Sequence, residues 1–224
     1  MLELTPAYRA AYAGCSVGYL SLAYETPPTF TDALEAELER RSRETGARYG
    51  TSGRGELKRL PVISDYVRHF RRFKKSYHVL LQLASTAEGK ALPRISPLVS
   101  IMLAAEVSTF VLCSGHNLDA VSPPLTFDVA SAERTIDLLD GRTQALKDGD
   151  IHLRDGDTVL AAVVYGQSVC GMMTEQTTRI LYVAYGVPGV EEAKIRAALD
   201  DLAALAGLAG GGSTVVGSEV IAVS

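Results

Sequence analysis

The sequence predicts an α+β fold, with layered mixed β-sheets or a sandwich packed with helices, on three observations. Runs rich in β-branched and aromatic residues recur at Ser16 to Tyr24, Thr158 to Tyr165 and Thr178 to Tyr185. Between them, and not in strict alternation, lie stretches of helical period at Asp32 to Arg43, Val62 to Leu83, Pro97 to Thr109 and Glu191 to Leu208. No internal repeat or low-complexity block divides the 224 residues, 47% of them hydrophobic and 21% charged, so one packed domain spanning 1–224 is expected.

Each element has a local reason. Ser16 to Tyr24 alternates small or polar with apolar residues and stops at Pro27 and Pro28, the pattern of a strand. Asp32 followed by Glu35 marks a helix start, and Leu34, Leu38 and the charges up to Arg43 fit an exposed helix closed near Gly46. Val62 to Leu83 divides into two short helices, one carrying Tyr66, Val67 and Phe70 and the other Val79, Leu80 and Leu83, with the junction at Arg71 to Lys75. Pro97 to Thr109 is apolar nearly all round, with a proline suited to a first turn, so a central buried helix is expected. Phe110 to Cys113 reads as a strand feeding a loop at Ser114 to Asp119, and glycines and prolines then punctuate several short strands. Glu191 to Leu208 reads as an amphipathic helix ended by Gly210 to Gly212, with a last strand over Val215 to Val223.

Composition removes several function classes. The most apolar stretches are too short or too interrupted to cross a bilayer, and Met1 to Cys15 lacks the pattern of a secretory leader, so a cytoplasmic protein without membrane contact is expected. Cys15, Cys113 and Cys170 are too far apart for a disulfide framework or a zinc site, and the four histidines are equally scattered, so no metal is expected. There is no phosphate-binding loop or dinucleotide fingerprint, so no cofactor is expected. A net charge of −4 excludes a uniformly basic surface but not a local patch. Arg68, His69, Arg71, Arg72, Lys74 and Lys75 follow one another without an acid, which suits phosphate contact as well as a solvated helix junction.

Three further motifs complete the pattern. Leu92, Pro93, Ile95, Pro97, Leu98 and Val99 form a helix start, His116, Asn117, Leu118 and Asp119 follow a strand, and Val169 to Met173 lead into Glu175, Thr177 and Thr178. With the Tyr66 to Lys75 junction, their order resembles the tRNA-binding and editing domain of the phenylalanyl-tRNA synthetase beta subunit and its free-standing relatives, over roughly two thirds of the chain. The resemblance implies a single editing-like domain whose partners are a tRNA and a small amino-acid moiety, and whose reaction is hydrolysis of the ester on a mischarged tRNA. It departs where the family's pocket helix carries an Asp-x-Thr-Asn pattern: this chain has Ser100, Met102 and Leu103, and it has no Trp.

On that resemblance His116 orients water or donates to the ester, and Asp119 supports it, although both also read as turn formers. Gly115, Asn117, Gly171, Met172, Met173, Glu175 and Thr177 would line the substrate, with backbone N–H groups near Gly171 facing the oxyanion. Arg68, Arg71, Arg72, Lys74 and Lys75 would hold the tRNA backbone. Two other readings stay open: a non-catalytic tRNA or RNA binder, and a protein that binds a free amino acid or small metabolite.

Overall fold

The computed structural model describes residues 1–131 and 133–224. In chain order it forms β1 (Leu2–Leu4), α1 (Pro6–Ala11), β2 (Ser16–Tyr24), α2 (Asp32–Tyr49), α3 (Arg54–Leu57), α4 (Pro61–Arg72), α5 (His78–Ala87) and α6 (Pro97–Thr109). There follow β3 (Cys113–Asn117), β4 (Leu125–Val129), β5 (Thr135–Asp137), β6 (Thr143–Ala145), β7 (Ile151–Asp155), β8 (Thr158–Ala162) and β9 (Gly166–Gln167). The chain closes with β10 (Arg179–Tyr185), α7 (Glu192–Ala206) and β11 (Ser213–Ala222). The protein is therefore α+β, with layers of helix and sheet.

One sheet has the order β11-β2-β10-β3 and is antiparallel throughout. Alternation along a strand sends neighbouring side chains to opposite faces. On one face the Tyr182 hydroxyl donates to the Leu98 carbonyl of α6 at 2.8 Å, and Gly18 lies against Ile195 and Leu199 of α7. On the other, the Tyr185 ring meets Phe127 of a second sheet at 5.5 Å between centroids. That second sheet, β1-β4-β7-β8-β9, is antiparallel except for the parallel pair β1 and β4. The two sheets and α4 enclose one large apolar core.

Local chemistry explains the expected elements that form. Thr31 and Ser96 cap α2 and α6 by accepting from Leu34 N–H and Val99 N–H. Helix α2 runs past Gly46 to Tyr49, with Glu37 paired to Arg40 and Arg41 along it and Arg41 reaching across to Asp201 of the helix Glu192–Ala206. A strand from Phe110 is not formed. Phe110 takes a left-handed φ of 63° to close α6, its carbonyl accepts from the Tyr77 hydroxyl at 2.8 Å, and β3 begins only at Cys113. The expected strand at Thr158 to Tyr165 ends as a strand at Ala162, and the chain then turns toward β9. The first residues, for which no element is expected, pair β1 along β4 and pack Tyr8 of α1 on Phe127.

Candidate functional site

Strand β3 is an edge, and its free side faces a cavity of about 170 Å³. This is below the roughly 300 to 1,000 Å³ of drug-sized ligand pockets, so the space suits a group of few heavy atoms. Met102 and Leu103 of α6, Leu112, Ala161, Ala162, Val163 and Leu139 make its apolar walls. Its polar groups are Glu106, Ser114, Gln167 and Tyr185, with His78 at α5. A larger groove of about 440 Å³ lies between α2 and the segment before α6, but its charges Glu39, Arg43 and Arg94 pair with one another.

The polar end of the cavity is built on β3. Ser114 Oγ lies 2.7 Å from His116 Nε2 and 2.7 Å from the Tyr185 hydroxyl. His116 is fully buried, and its Nδ1 has no partner. A buried lone pair without a partner is less unfavourable than a buried N–H without one, so the ring proton belongs on Nε2 and is donated to Ser114. The Ser114 and Tyr185 hydroxyls share one bond between them, so one of their two O–H groups is left for another acceptor. Burial pushes the His116 imidazole down to about 4, so it is neutral at pH 7.

On the α6 wall Glu106, 2% exposed, accepts from Cys113 N–H at 2.9 Å, beside Ser114. Burial raises its carboxyl to about 8. Gln167 donates to the Gly115 carbonyl and so ties β9 to the free edge of β3. None of Ser114, Glu106, Gln167 and Tyr185 is among the residues that the sequence motifs single out. The legible signal for one of them is Glu106 itself, an acid within an otherwise apolar helix.

The expected site residues are brought together in part. Asn117 N–H donates to the Gly171 carbonyl, and His116 and Met172 form a bridge, so the segment containing Gly171 to Met173 docks on the far end of β3. Gly115 permits this closeness: a Cβ there would lie 2.7 Å from Met173 Sδ. Gly171 has φ 70° and sits against Val121 and Leu160. None of these residues lines the cavity.

Three placements differ from those the motifs suggest. His116 stands inside β3, closed from solvent, because it pairs with Leu181 of β10, and so it reaches the cavity only through Ser114. Asp119 turns to Arg179 at 2.9 Å on the surface and makes no bond to His116. Thr177 is buried as the partner of Thr174 N–H at 2.9 Å, shaping a turn in which Glu175 is exposed. Solvent favours a paired surface carboxylate and a satisfied turn over a converging cluster here.

The basic run lies at the cavity's other side. Helix α4 ends at Arg72, and Lys74, with φ 56°, turns the chain toward α5. Arg71, Arg72, Lys74 and Lys75 are exposed, and among the described residues none is in ion-pair distance of a carboxylate. Arg68 is paired with Asp65 at 3.0 Å. His69 leaves the patch: it is buried against Tyr12 and Phe73 and pushed down to about 4. Lys75 Nζ stands 4.5 Å from the centre of the Tyr165 ring, next to the Gly166 and Gln167 wall. Of the four cations, Lys75 stands nearest the cavity.

These buried groups give stability a pH dependence with a definite sign. His69, His116 and His152, each pushed down to about 4 by burial, bind protons in the unfolded chain but not in the fold between about pH 4 and 6.5, so they make stability rise with pH there. Glu106 and Asp150, raised to about 8, bind protons in the fold but not in the unfolded chain, and they make stability fall with pH up to 8. Up to about pH 6 the three histidines outweigh the two acids; above that the acids increasingly prevail. A stability maximum slightly above pH 6 is expected, with an alkaline decline of roughly 1.5 kcal/mol per pH unit between pH 7 and 8, since each acid contributes at most about 1.4 and the histidines oppose it until they are fully deprotonated in the unfolded chain. Unfolding midpoints from pH 4 to 9 check this, and a flat profile between 6.5 and 8 would contradict the burial of Glu106 and Asp150.

Among the described residues no group of three potential ligands gathers to hold a metal ion, and no helix is long and apolar enough to cross a membrane. No family model matches the chain, and no curated protein sequence matches it. Among solved structures it is similar to an N-terminal fragment of the phenylalanyl-tRNA synthetase beta subunit from Pyrococcus horikoshii, at 16% identity and a TM-score of 0.46. The match covers 55% of this chain and 43% of that fragment.

Proposed function

We propose that this protein binds the aminoacylated end of a tRNA and hydrolyses its ester in trans, with the amino-acid moiety in the cavity beside β3. The observation that carries this reading is the continuity of the unpaired cations Arg71, Arg72, Lys74 and Lys75 with a small, largely apolar cavity, through Lys75, Tyr165 and Gln167. A ligand with a phosphate backbone outside and a compact group inside matches that division, and the order of the sequence motifs agrees with it.

The reaction is undemanding, because the ester is activated and positioning provides much of the rate. The Ser114 O–H, held by His116 and Tyr185, donates to the carbonyl oxygen as charge develops there. His116 acts as a positioning residue through Ser114, and the backbone of Gly115, Asn117 and Gly171 to Met173 keeps β3 closed on its far side. Asp119 and Glu175 are exposed beyond that end, and the buried Thr177 shapes the turn beside Glu175.

The test is deacylation of a panel of tRNAs charged with tyrosine, small aliphatic amino acids and near analogues. Ser114→Ala is expected to lower turnover by about 10²-fold, the effect of losing one oxyanion donor, and His116→Ala by a comparable or smaller factor. Background rates on every charged tRNA, together with salt-sensitive tRNA binding, would instead support the reading as a non-catalytic binder. The closure of His116 from solvent and the apolar Met102 and Leu103 in the cavity wall favour that second reading.

A further inference from the structure

We propose that the cavity selects ligands by a protonated primary amine, with the Glu106 carboxylate as its counter-ion. This rests on the cavity being the ligand site and names the group that it recognises. Glu106 shares the α6 face of Met102 and Leu103 that walls the cavity, and it is nearly inaccessible from outside. Among the described residues its one hydrogen bond comes from Cys113 N–H, and no cationic side chain pairs with it.

Capping Cys113 N–H does not require an acid, since a glutamine oxygen would accept equally well. A carboxyl among Leu103, Leu112, Ala161 and Val163 is unfavourable unless something pairs with it. The titratable groups facing it are Tyr66 from α4, Tyr77 and His78 at the start of α5, Cys113 from β3 and Tyr185 from β10. Burial drives the phenols and the thiol up, and the His78 imidazole, exposed at its outer side but set against the cavity wall, is shifted down rather than up, so none supplies a cation at neutral pH. The missing partner is a cation from the ligand. The O–H that the Ser114 and Tyr185 hydroxyl pair does not use internally is available to an oxygen of the same molecule. An aminoacyl ester carries an ammonium beside its carbonyl and has both features, whereas an alcohol or a carboxylic acid has only the second.

Binding is coupled to protons in a balanced way: the cavity carboxylic acid and the ligand ammonium give a carboxylate–ammonium pair and one released proton. Affinity for an amine that stays protonated therefore rises about tenfold per pH unit below the carboxyl's own titration and levels off above it.

The experiment is calorimetric titration of n-propylamine, and of 1-propanol as its uncharged counterpart, into the full chain at pH 6, 7 and 8 in two buffers of different ionisation enthalpy. The expected result is amine binding about ten times tighter at pH 7 than at pH 6, release of close to one proton at pH 7, and much weaker propanol binding. Glu106→Gln should lose at least tenfold in amine affinity at pH 8 and all of the pH dependence. The wild-type proton count stands even if that variant does not fold. Amine binding that is absent, independent of pH, or no tighter than that of propanol would overturn the proposal. Amine binding with proton release but a silent tRNA panel would keep the amine site and remove the tRNA reading; deacylation without amine binding would do the reverse.

Discussion

Replacing Arg71, Arg72, Lys74 and Lys75 together by glutamine is expected to weaken tRNA binding by about a hundredfold or more near 0.1 M salt and to reduce the slope of log affinity against log salt by about 3. The size follows from counterion release, at roughly 0.7 to 0.9 of slope for each phosphate neutralised. These four side chains are exposed and, among the described residues, outside ion-pair distance of any carboxylate, so the change breaks no ion pair and removes only the surface contacts of Arg72 with Phe73 and Lys75 with Tyr165. Arg68, already paired with Asp65, provides the control, and Arg68→Gln should have a clearly smaller effect. Salt-titrated binding of an uncharged tRNA reads both quantities. A loss of under threefold with an unchanged slope would make the run an ordinary solvated helix end.

The second large effect is on stability. Tyr66→Ala is expected to lower the free energy of unfolding by about 3 to 5 kcal/mol for the lost buried ring, with about 1 to 3 more for the groups left unpaired. The ring is fully buried and stacks on Tyr77 at 4.6 Å and 10°. Its hydroxyl donates to the Tyr185 carbonyl and accepts from Leu112 N–H at 3.2 Å. That one oxygen joins α4 to the end of β10 and the approach to β3, the two strands that carry Tyr185 and Ser114. Tyr66→Phe keeps the ring and should lose only about 1 to 3 kcal/mol. Urea unfolding of both variants checks the pair; equal losses would mean that the ring itself contributes little. Against a total of about 5 to 15 kcal/mol, the alanine variant approaches the limit of folding.

Much of the fold is legible in the residues. The strand at Ser16 to Tyr24 and the helix at Pro97 to Thr109 form with the expected bounds, because alternation and a proline-led apolar run are local signals. Phe70, expected on the first of the two short helices, is fully buried. The loop reading of His116 fails for an equally physical reason. Ser114, Gly115, His116 and Asn117 have little strand preference of their own, and it is the pairing with Ile180 to Ala184 of β10 that makes them a strand.

The candidate site is less legible. His116 draws notice by its chemistry, while Ser114, two residues earlier, does not, although the geometry gives the serine the cavity and the histidine the supporting place. Glu106 and Gln167 are 61 residues apart in sequence and meet only because β9 folds back over the edge of β3.

What the sequence determines by itself is what depends on near neighbours: helix caps, periodicity, the placement of the cations at the end of a helix, and the α+β class. The tertiary structure alone decides which side chains lose water. Burial makes His116 and His69 neutral, holds Glu106 as an acid without a cation, and assigns the cavity to Ser114 and Tyr185. Those outcomes depend on desolvation by residues far along the chain, and desolvation has no local signature in a sequence.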